Sequence, residues 1–531
     1  MPVEANILCK TATEIDLNDM PYAAGAQYNA DKGCLPGTRK EVIDEISNWV
    51  NNDSDDTPRI FFLSGFAGAG KSAIAHAVAH LFDGLGHLGS SYCFDVAHQA
   101  ERSPNKVFST IACDLADLDP ELKASLWQVV REKRSLRNTR AAREQFQRFI
   151  LDPATGLKTV GPIVIVIDAL DESGDPASRQ VILSILAGKA ADLPSNFRVL
   201  VTGRAERDIR DALDGKQHVI SKHMETINAN NDIFFFLQTQ LCDIVELEQK
   251  WPNSYWCQML VDKSEGLFQW ASTACRFIKG DGEEVLDPVK QLDILVSSAS
   301  RSAQLSQLDQ LYTRILTRIF KTNDTDRMGS FQSVMGCLLA AREPLSISAL
   351  KNLCRDKESA NAVGQIIRPL GSLLSGVAQD SIPIRLLHTS FRDFLTDRGC
   401  SGLYYIDASS HHHSLMLSSL RVIMEELRFN ICQLETSHWR NKDVFDLVER
   451  AKEAISPHLS YSCRFWADHL RGTSFAFDIN HEIRDFLHTR LLLWLEVLSL
   501  IKEVNIASKA LLSIIEWTQV SFKMCFVLAL T

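Results

Sequence analysis

Residues 59–82 read RIFFLSGFAGAGKSAIAHAVAHLF. Arg59–Leu63 is a short apolar run without alternation, the pattern of one buried strand. Ser72–Phe82 carries its apolar residues at helical spacing. The turn between them, Gly65-Phe66-Ala67-Gly68-Ala69-Gly70-Lys71-Ser72, satisfies GxxxxGK[ST] in the strand–turn–helix context the spacing requires. Glycines let such a turn curl with its N–H groups inward. The helix that follows adds unpaired amides and a positive dipole end. Gly65, Gly68, Ala69 and Gly70 are therefore expected to wrap a polyphosphate. Lys71 would reach its β- and γ-phosphates, and the Ser72 hydroxyl would ligate Mg²⁺.

A phosphate loop of this kind needs a carboxylate on a nearby strand to hold the metal. Working outward, Ile163–Ile167 (IVIVI) is the next continuous apolar run, and it ends in Asp168. An acid at the carboxyl end of a buried parallel strand lies where open α/β sheets bind ligands. Asp168 is the expected Mg²⁺ anchor. Glu172 is the candidate for polarising an attacking water, with Asp171 second; the alternative for Glu172 is a solvated loop residue. A third run, Phe197–Thr202, ends in Gly203-Arg204. Thr202 and Arg204 stand where side chains could sense a γ-phosphate, because a guanidinium grips two oxygens at once. The alternative is a surface arginine paired with Glu206.

These strands, separated by helical stretches, predict a parallel sheet with helices on both faces. After about residue 225 helical spacing dominates. Residues 361–400 read as helix, small β-hairpin and helix, a winged-helix pattern, and leucine-rich helices with Trp466, Trp494 and Trp517 follow. Arg39–Val50 places Val42, Ile43, Ile46, Trp49 and Val50 at helical spacing. The fold class is α/β, then mainly α. The expected domains are a tail or partial linker at 1–35, a nucleotide-binding domain at 36–225, and a helical domain at 226–325. A winged helix at 326–400 and a C-terminal helical domain at 401–531 complete the chain.

Composition narrows the class. The chain has 531 residues, 45% hydrophobic and 23% charged, in the range of globular proteins. With 56 basic and 66 acidic residues its formal charge is −10, which argues against a general nucleic-acid or anionic-membrane binder. Thirteen scattered cysteines without a CxxC pair, and no secretory leader, fit a reducing, cytoplasmic setting. The most apolar stretch, Leu491–Leu500, contains Glu496 and is too short to span a bilayer.

FLSGFAGAGKSAIA (62–75), VIVIDALDE (164–172) and VTGRAE (201–206) together resemble the NACHT class of STAND NTPases. CLPGTR (34–39), REPLSISAL (342–350), RLLHTSFRDFL (385–395), YSCRFWADHL (461–470) and LLLWLEVLSL (491–500) narrow the resemblance. They point to the fungal, NLR-like group in which NACHT is commonly followed by WD repeats, here without those repeats. The resemblance implies an ADP-bound resting form, exchange to ATP on sensing a ligand, and oligomerisation that activates an effector. It implies that His388 contacts the ADP β-phosphate and that Pro344 packs against base or ribose. It also implies that Thr38 and Arg39 lie near adenine, where a helix cap and a surface charge are the equal alternatives. The segment reads Thr202-Gly203-Arg204 where relatives often carry serine before the arginine, so one possible hydroxyl contact is absent, and Thr389 follows His388 in place of the aspartate of plant-type relatives.

The expected function is an ATP/ADP-dependent signalling switch with slow Mg²⁺-dependent hydrolysis, of the innate-immunity or heterokaryon-incompatibility kind. The alternatives are a nucleotide-binding scaffold without hydrolysis and an AAA-type motor. The expected partners are further copies of the chain and an effector and activating ligand that the sequence does not identify.

Overall fold

The computed structural model describes residues 17, 20–99, 101–137, 139–155, 161–244, 254–280, 287–297, 305–320, 324–354, 357–436, 438–473 and 477–528. Most of the sequence-expected tail before Met20, and residues 529–531, lie outside them. The chain forms two compact units. One comprises Met1–Cys275 with Leu292–Ser298, the other Arg276–Gln291 with Ala299–Thr531.

The first unit is built on five parallel strands: β1 (Ile60–Ser64), β2 (Leu88–Cys93), β3 (Ile163–Asp168), β4 (Phe197–Gly203) and β5 (Val219–His223), in the order β2-β3-β4-β1-β5. Helix α1 (Lys40–Val50) precedes β1 and helix α2 (Lys71–Gly84) follows it. The apolar runs of the central strands divide between two faces, as the period of two requires. Phe61, Leu63, Val164, Val166 and Leu200 pack against α1 and α2 through Val42, Ile46, Trp49, Ile74, Val78 and Phe82. Ile60, Phe62, Ile163, Ile165, Ile167, Val199 and Val201 face the opposite core, with Phe108, Ile111, Leu115, Ile182 and Ile185. Burial on both faces is why these strands show no polar alternation in the sequence.

Two strands escape that reading. β2 is LGSSYC, whose small residues leave no apolar run; a Cβ on Gly89 would come within 2.7 Å of Leu115 and 2.8 Å of Ile163. β5 lies at the sheet edge with all five residues only partly buried, so its hydrophobic signal is weak. The outer edge of β2 is covered by residues 20–33. Cys93 donates its N–H to Ala26 O (2.7 Å), the Tyr28 N–H reaches Ser91 Oγ (2.9 Å), and Ala23 and Ala26 are fully buried.

Among its described residues the second unit is mainly helical, with one antiparallel strand pair, Leu374–Ser375 with Arg385–Leu386, and an isolated antiparallel bridge between Ser346 and Pro383. That pair sits between helices Lys357–Ile367 and Thr389–Thr396, the helix–hairpin–helix order expected for this stretch. Further on, Trp466, Phe486 and Trp494 meet edge to face with centroids 5.1–6.0 Å apart, the geometry that ring quadrupoles favour. Trp494 and Trp517 donate their indole N–H groups to the carbonyls of Cys463 and Thr473, both at 2.8 Å. Among the described residues, no helix is long and apolar enough to cross a membrane.

Candidate nucleotide site

The glycine turn leaves β1 at Ser64 and enters α2 at Lys71. Gly68 and Gly70 have φ of 84° and 92°, a left-handed backbone that glycine adopts without cost. Close packing restricts the turn as well. A Cβ at Gly68 would come 2.6 Å from Gln269 Cβ, and one at Gly65 would come 2.7 Å from Met224 Cβ. Gln269 also donates its backbone N–H to Gly68 O at 3.1 Å, so the helix Phe268–Lys279 begins directly on the turn. Ala69 is buried and Ser72 is exposed at the start of α2.

Lys71 is buried, its Nζ donating to Gly65 O (2.8 Å) and Phe66 O (2.9 Å). Burial pulls its ammonium below the usual lysine range, while Asp171 and then Asp168 oppose the shift. Lys71 and both acids thus share one electrostatic environment. The topology explains it: β4 lies between β1 and β3, and all three strands deliver their carboxyl ends to the same edge.

The β3–β4 register pairs Ile167 with Val201, which sets Asp168 beside Thr202. The Thr202 hydroxyl donates to Asp168 Oδ1 and accepts the Ala169 N–H at 3.1 Å. Ala169 has φ 55°, an unusual conformation for a residue with a Cβ. It turns the chain so that Asp171 comes back toward β4. Asp171 accepts from the Arg204 backbone N–H (3.0 Å) and pairs with Arg204 Nε (3.1 Å).

Arg204 is therefore partnered by Asp171 and is no bare surface charge. Glu206 and Asp208 hold Arg179, which is 2% exposed. Glu172 is no solvated loop residue either. It is partly buried, accepts the Val96 N–H at 3.2 Å, and its carboxyl is pushed up to about 8 by burial and then by Asp171.

Both alternatives for Thr38 and Arg39 are also corrected. The Thr38 hydroxyl donates back to Leu35 O (2.7 Å), and Arg39, at φ 56°, is the residue that precedes α1. Arg39 is 4% exposed and so is not a surface charge. Its Nη2 donates to Ala69 O in the turn (2.8 Å), its guanidinium lies 4.8 Å from the Phe268 ring centroid, and its backbone N–H goes to Asp232 (3.0 Å). Among the described residues, its Nε and Nη1 make no hydrogen bond.

Glu225, which accepts the Phe66 N–H at 2.9 Å, Asp232, Phe268 and Gln269 all touch this site and were missed in the sequence. They follow β5, in helices and turns whose patterns carry no chemical signature. Two expected residues lie in the other unit. His388 precedes the helix Thr389–Thr396, and its Nδ1 accepts the Ser390 N–H at 3.1 Å. Pro344 is partly buried, two residues ahead of Ser346, which caps Ile347–Leu353.

A family model described as Nephrocystin 3, N-terminal, matches residues 37–204, from the glycine before Thr38 to the arginine after β4. The vegetative incompatibility protein HET-E-1 of Podospora anserina is 23% identical over 388 residues, 68% of this chain and 26% of that protein. The chain thus spans about a quarter of that curated relative's length. A crystal structure of a STAND protein with a tetratricopeptide repeat sensor from Pyrococcus horikoshii aligns at TM-score 0.43 and 12% identity. The alignment covers 93% of this chain and 60% of that one. The glycine turn and the acid-ended β3 both lie within the residues that the family model matches, and the two sequence matches support the resemblance to NACHT-type STAND proteins.

Proposed function

We propose that the chain is a signalling switch that binds ADP or ATP with Mg²⁺ at the turn between β1 and α2. The observation that carries this reading is the buried Lys71 ammonium under a glycine turn, in the field of Asp171 and Asp168. In this reading Gly65, Gly68, Ala69 and Gly70 wrap the phosphates and Lys71 neutralises them. Ser72 and Asp168 hold Mg²⁺, and Arg39 and Thr38 flank the nucleotide. Arg204 meets the γ-phosphate when it leaves Asp171. His388 senses the β-phosphate and Pro344 meets base or ribose, within a winged helix at 326–400. That domain follows a nucleotide-binding domain at 36–225 and a helical domain at 226–325, and precedes a C-terminal helical domain at 401–531. Exchange of ADP for ATP drives self-association and engages an effector. The relative's role in vegetative incompatibility supports a pathway of that kind, in the cytoplasm.

Mass spectrometry of nucleotide released from the purified chain, with calorimetric titration of Mg²⁺–ADP, tests the core of this reading. Bound ADP and saturable heat are expected. An empty chain that gives no heat with either nucleotide would end it.

A second reading, binding without hydrolysis, draws on Glu172. With its carboxyl pushed up to about 8, it is mainly protonated near neutral pH, a form that takes no proton from water. Phosphate release no faster from the wild type than from Glu172→Gln decides for this scaffold role.

A further inference from the structure

On the α2 face of the sheet, deeper than the turn, three chemically different ligands converge. The β2–β3 register pairs Cys93 with Asp168, so both side chains leave the sheet on the same face. His76, five residues into α2, comes down onto them. All three are buried, at 6%, 6% and 3% exposure for His76, Cys93 and Asp168. One ring nitrogen, the thiol sulfur and one carboxylate oxygen lie within 4.8 Å of one another. Thr202 holds Asp168 Oδ1, which leaves Oδ2 for the cluster.

We propose that His76, Cys93 and Asp168 form a site for a borderline-soft divalent cation of the Zn²⁺ or Co²⁺ class. Imidazole, thiolate and carboxylate match such ions, and three protein ligands leave a fourth position open. Mg²⁺ prefers an all-oxygen octahedron, so this set discriminates against the ion the nucleotide reading requires. Ligand atoms at about 2.0–2.3 Å from a tetrahedral ion stand about 3.5 Å apart. Modest side-chain rotations therefore close the cluster. On binding, the Cys93 S–H bond breaks, its proton passes to solvent and the sulfur–metal bond forms, with no change of oxidation state.

His76 ties the site to the segment along β2. Its Nδ1 accepts the Asn29 N–H at 3.1 Å. Ligation through Nδ1 takes that lone pair, and ligation through Nε2 moves the ring proton to Nδ1. Either route opens the Asn29 bond. Occupation therefore loosens residues 26–33 and engages the acid that the nucleotide reading assigns to Mg²⁺. The site does not depend on the nucleotide reading.

The test is titration of Co²⁺ into the full chain in chelator-treated, Mg²⁺-free buffer, read by the near-ultraviolet thiolate-to-cobalt band. One Co²⁺ per chain is expected, displaced by Zn²⁺ and not by Mg²⁺. Cys93→Ser should abolish the band, and His76→Gln should weaken binding at least about tenfold, both with unchanged circular dichroism. An unchanged band in Cys93→Ser would assign the ion to another of the thirteen cysteines and overturn the proposal, as would no saturable binding by the wild type. Should Cys93→Ser not fold, His76→Gln decides alone, since wild-type cobalt affinity in that variant also overturns it. In the wild type, Zn²⁺ should speed amide exchange across residues 26–33, and unchanged exchange refutes the coupling. ADP titration of the same samples is read separately, so either reading can fail without the other.

Discussion

The two flanks of the phosphate turn treat their arginines in opposite ways. On the β3–β4 side the charges are matched within the protein: Arg204 with Asp171, and Arg179 with Glu206 and Asp208. On the side before α1, Arg39 is almost wholly buried, and two of its guanidinium nitrogens make no hydrogen bond among the described residues. Burial lowers its pKa, opposed by Asp232. A buried cation with unmet donors is costly unless something anionic completes it. The flank that reads most clearly in the sequence, VTGRAE, is thus electrostatically complete. The flank that reads ambiguously, at Thr38 and Arg39, is the one with chemical demand left over.

This contrast can be broken or sharpened by measurement. Lys71→Ala should weaken Mg²⁺–ADP binding about a hundredfold by calorimetry, because a charge-assisted contact in a desolvated site is lost. Equal affinity would remove the phosphate site from both flanks at once. Arg39→Met should cost about tenfold in ADP affinity, whereas Arg204→Met should change it less than about twofold because Asp171 already satisfies that guanidinium. The reverse order would invert the comparison. If Glu172 is the base, the hydrolysis rate should climb as pH rises through about 8, where its carboxyl loses its proton, and then level off; Glu172→Gln should flatten the profile. A wild-type rate indifferent to pH from 6 to 9 would exclude Glu172 from that role. The smallest effect belongs to His388→Ala, which removes a helix cap worth about 1 kcal/mol by thermal unfolding. Full ADP retention and an unchanged particle size in that variant would leave the cap as its whole contribution.

The sequence exposed what periodicity and motif spacing can encode. The central strands β1, β3 and β4 were legible because burial on both faces suppresses polar residues. Asp168 was legible because it ends such a strand. β2 was hidden by Gly89, Ser90 and Ser91, whose small side chains serve close packing instead of hydrophobicity. Arg39 was undecidable because its role depends on Phe268 and Ala69, the former more than two hundred residues away in the chain. The His76–Cys93–Asp168 cluster was invisible for the same reason. Its members come from a helix and two strands, and only the register of β2 on β3 brings Cys93 beside Asp168.

The segment along β2 carries one more consequence. At Cys93 the outward backbone N–H of that strand is already taken by Ala26 O, and the Tyr28 N–H holds the Ser91 hydroxyl beside it. A strand from another molecule cannot be added there without peeling the segment away. Copies of this protein that meet on that side must fit side chain to side chain, and amyloid-like stacking through that margin is closed while residues 20–33 stay in place.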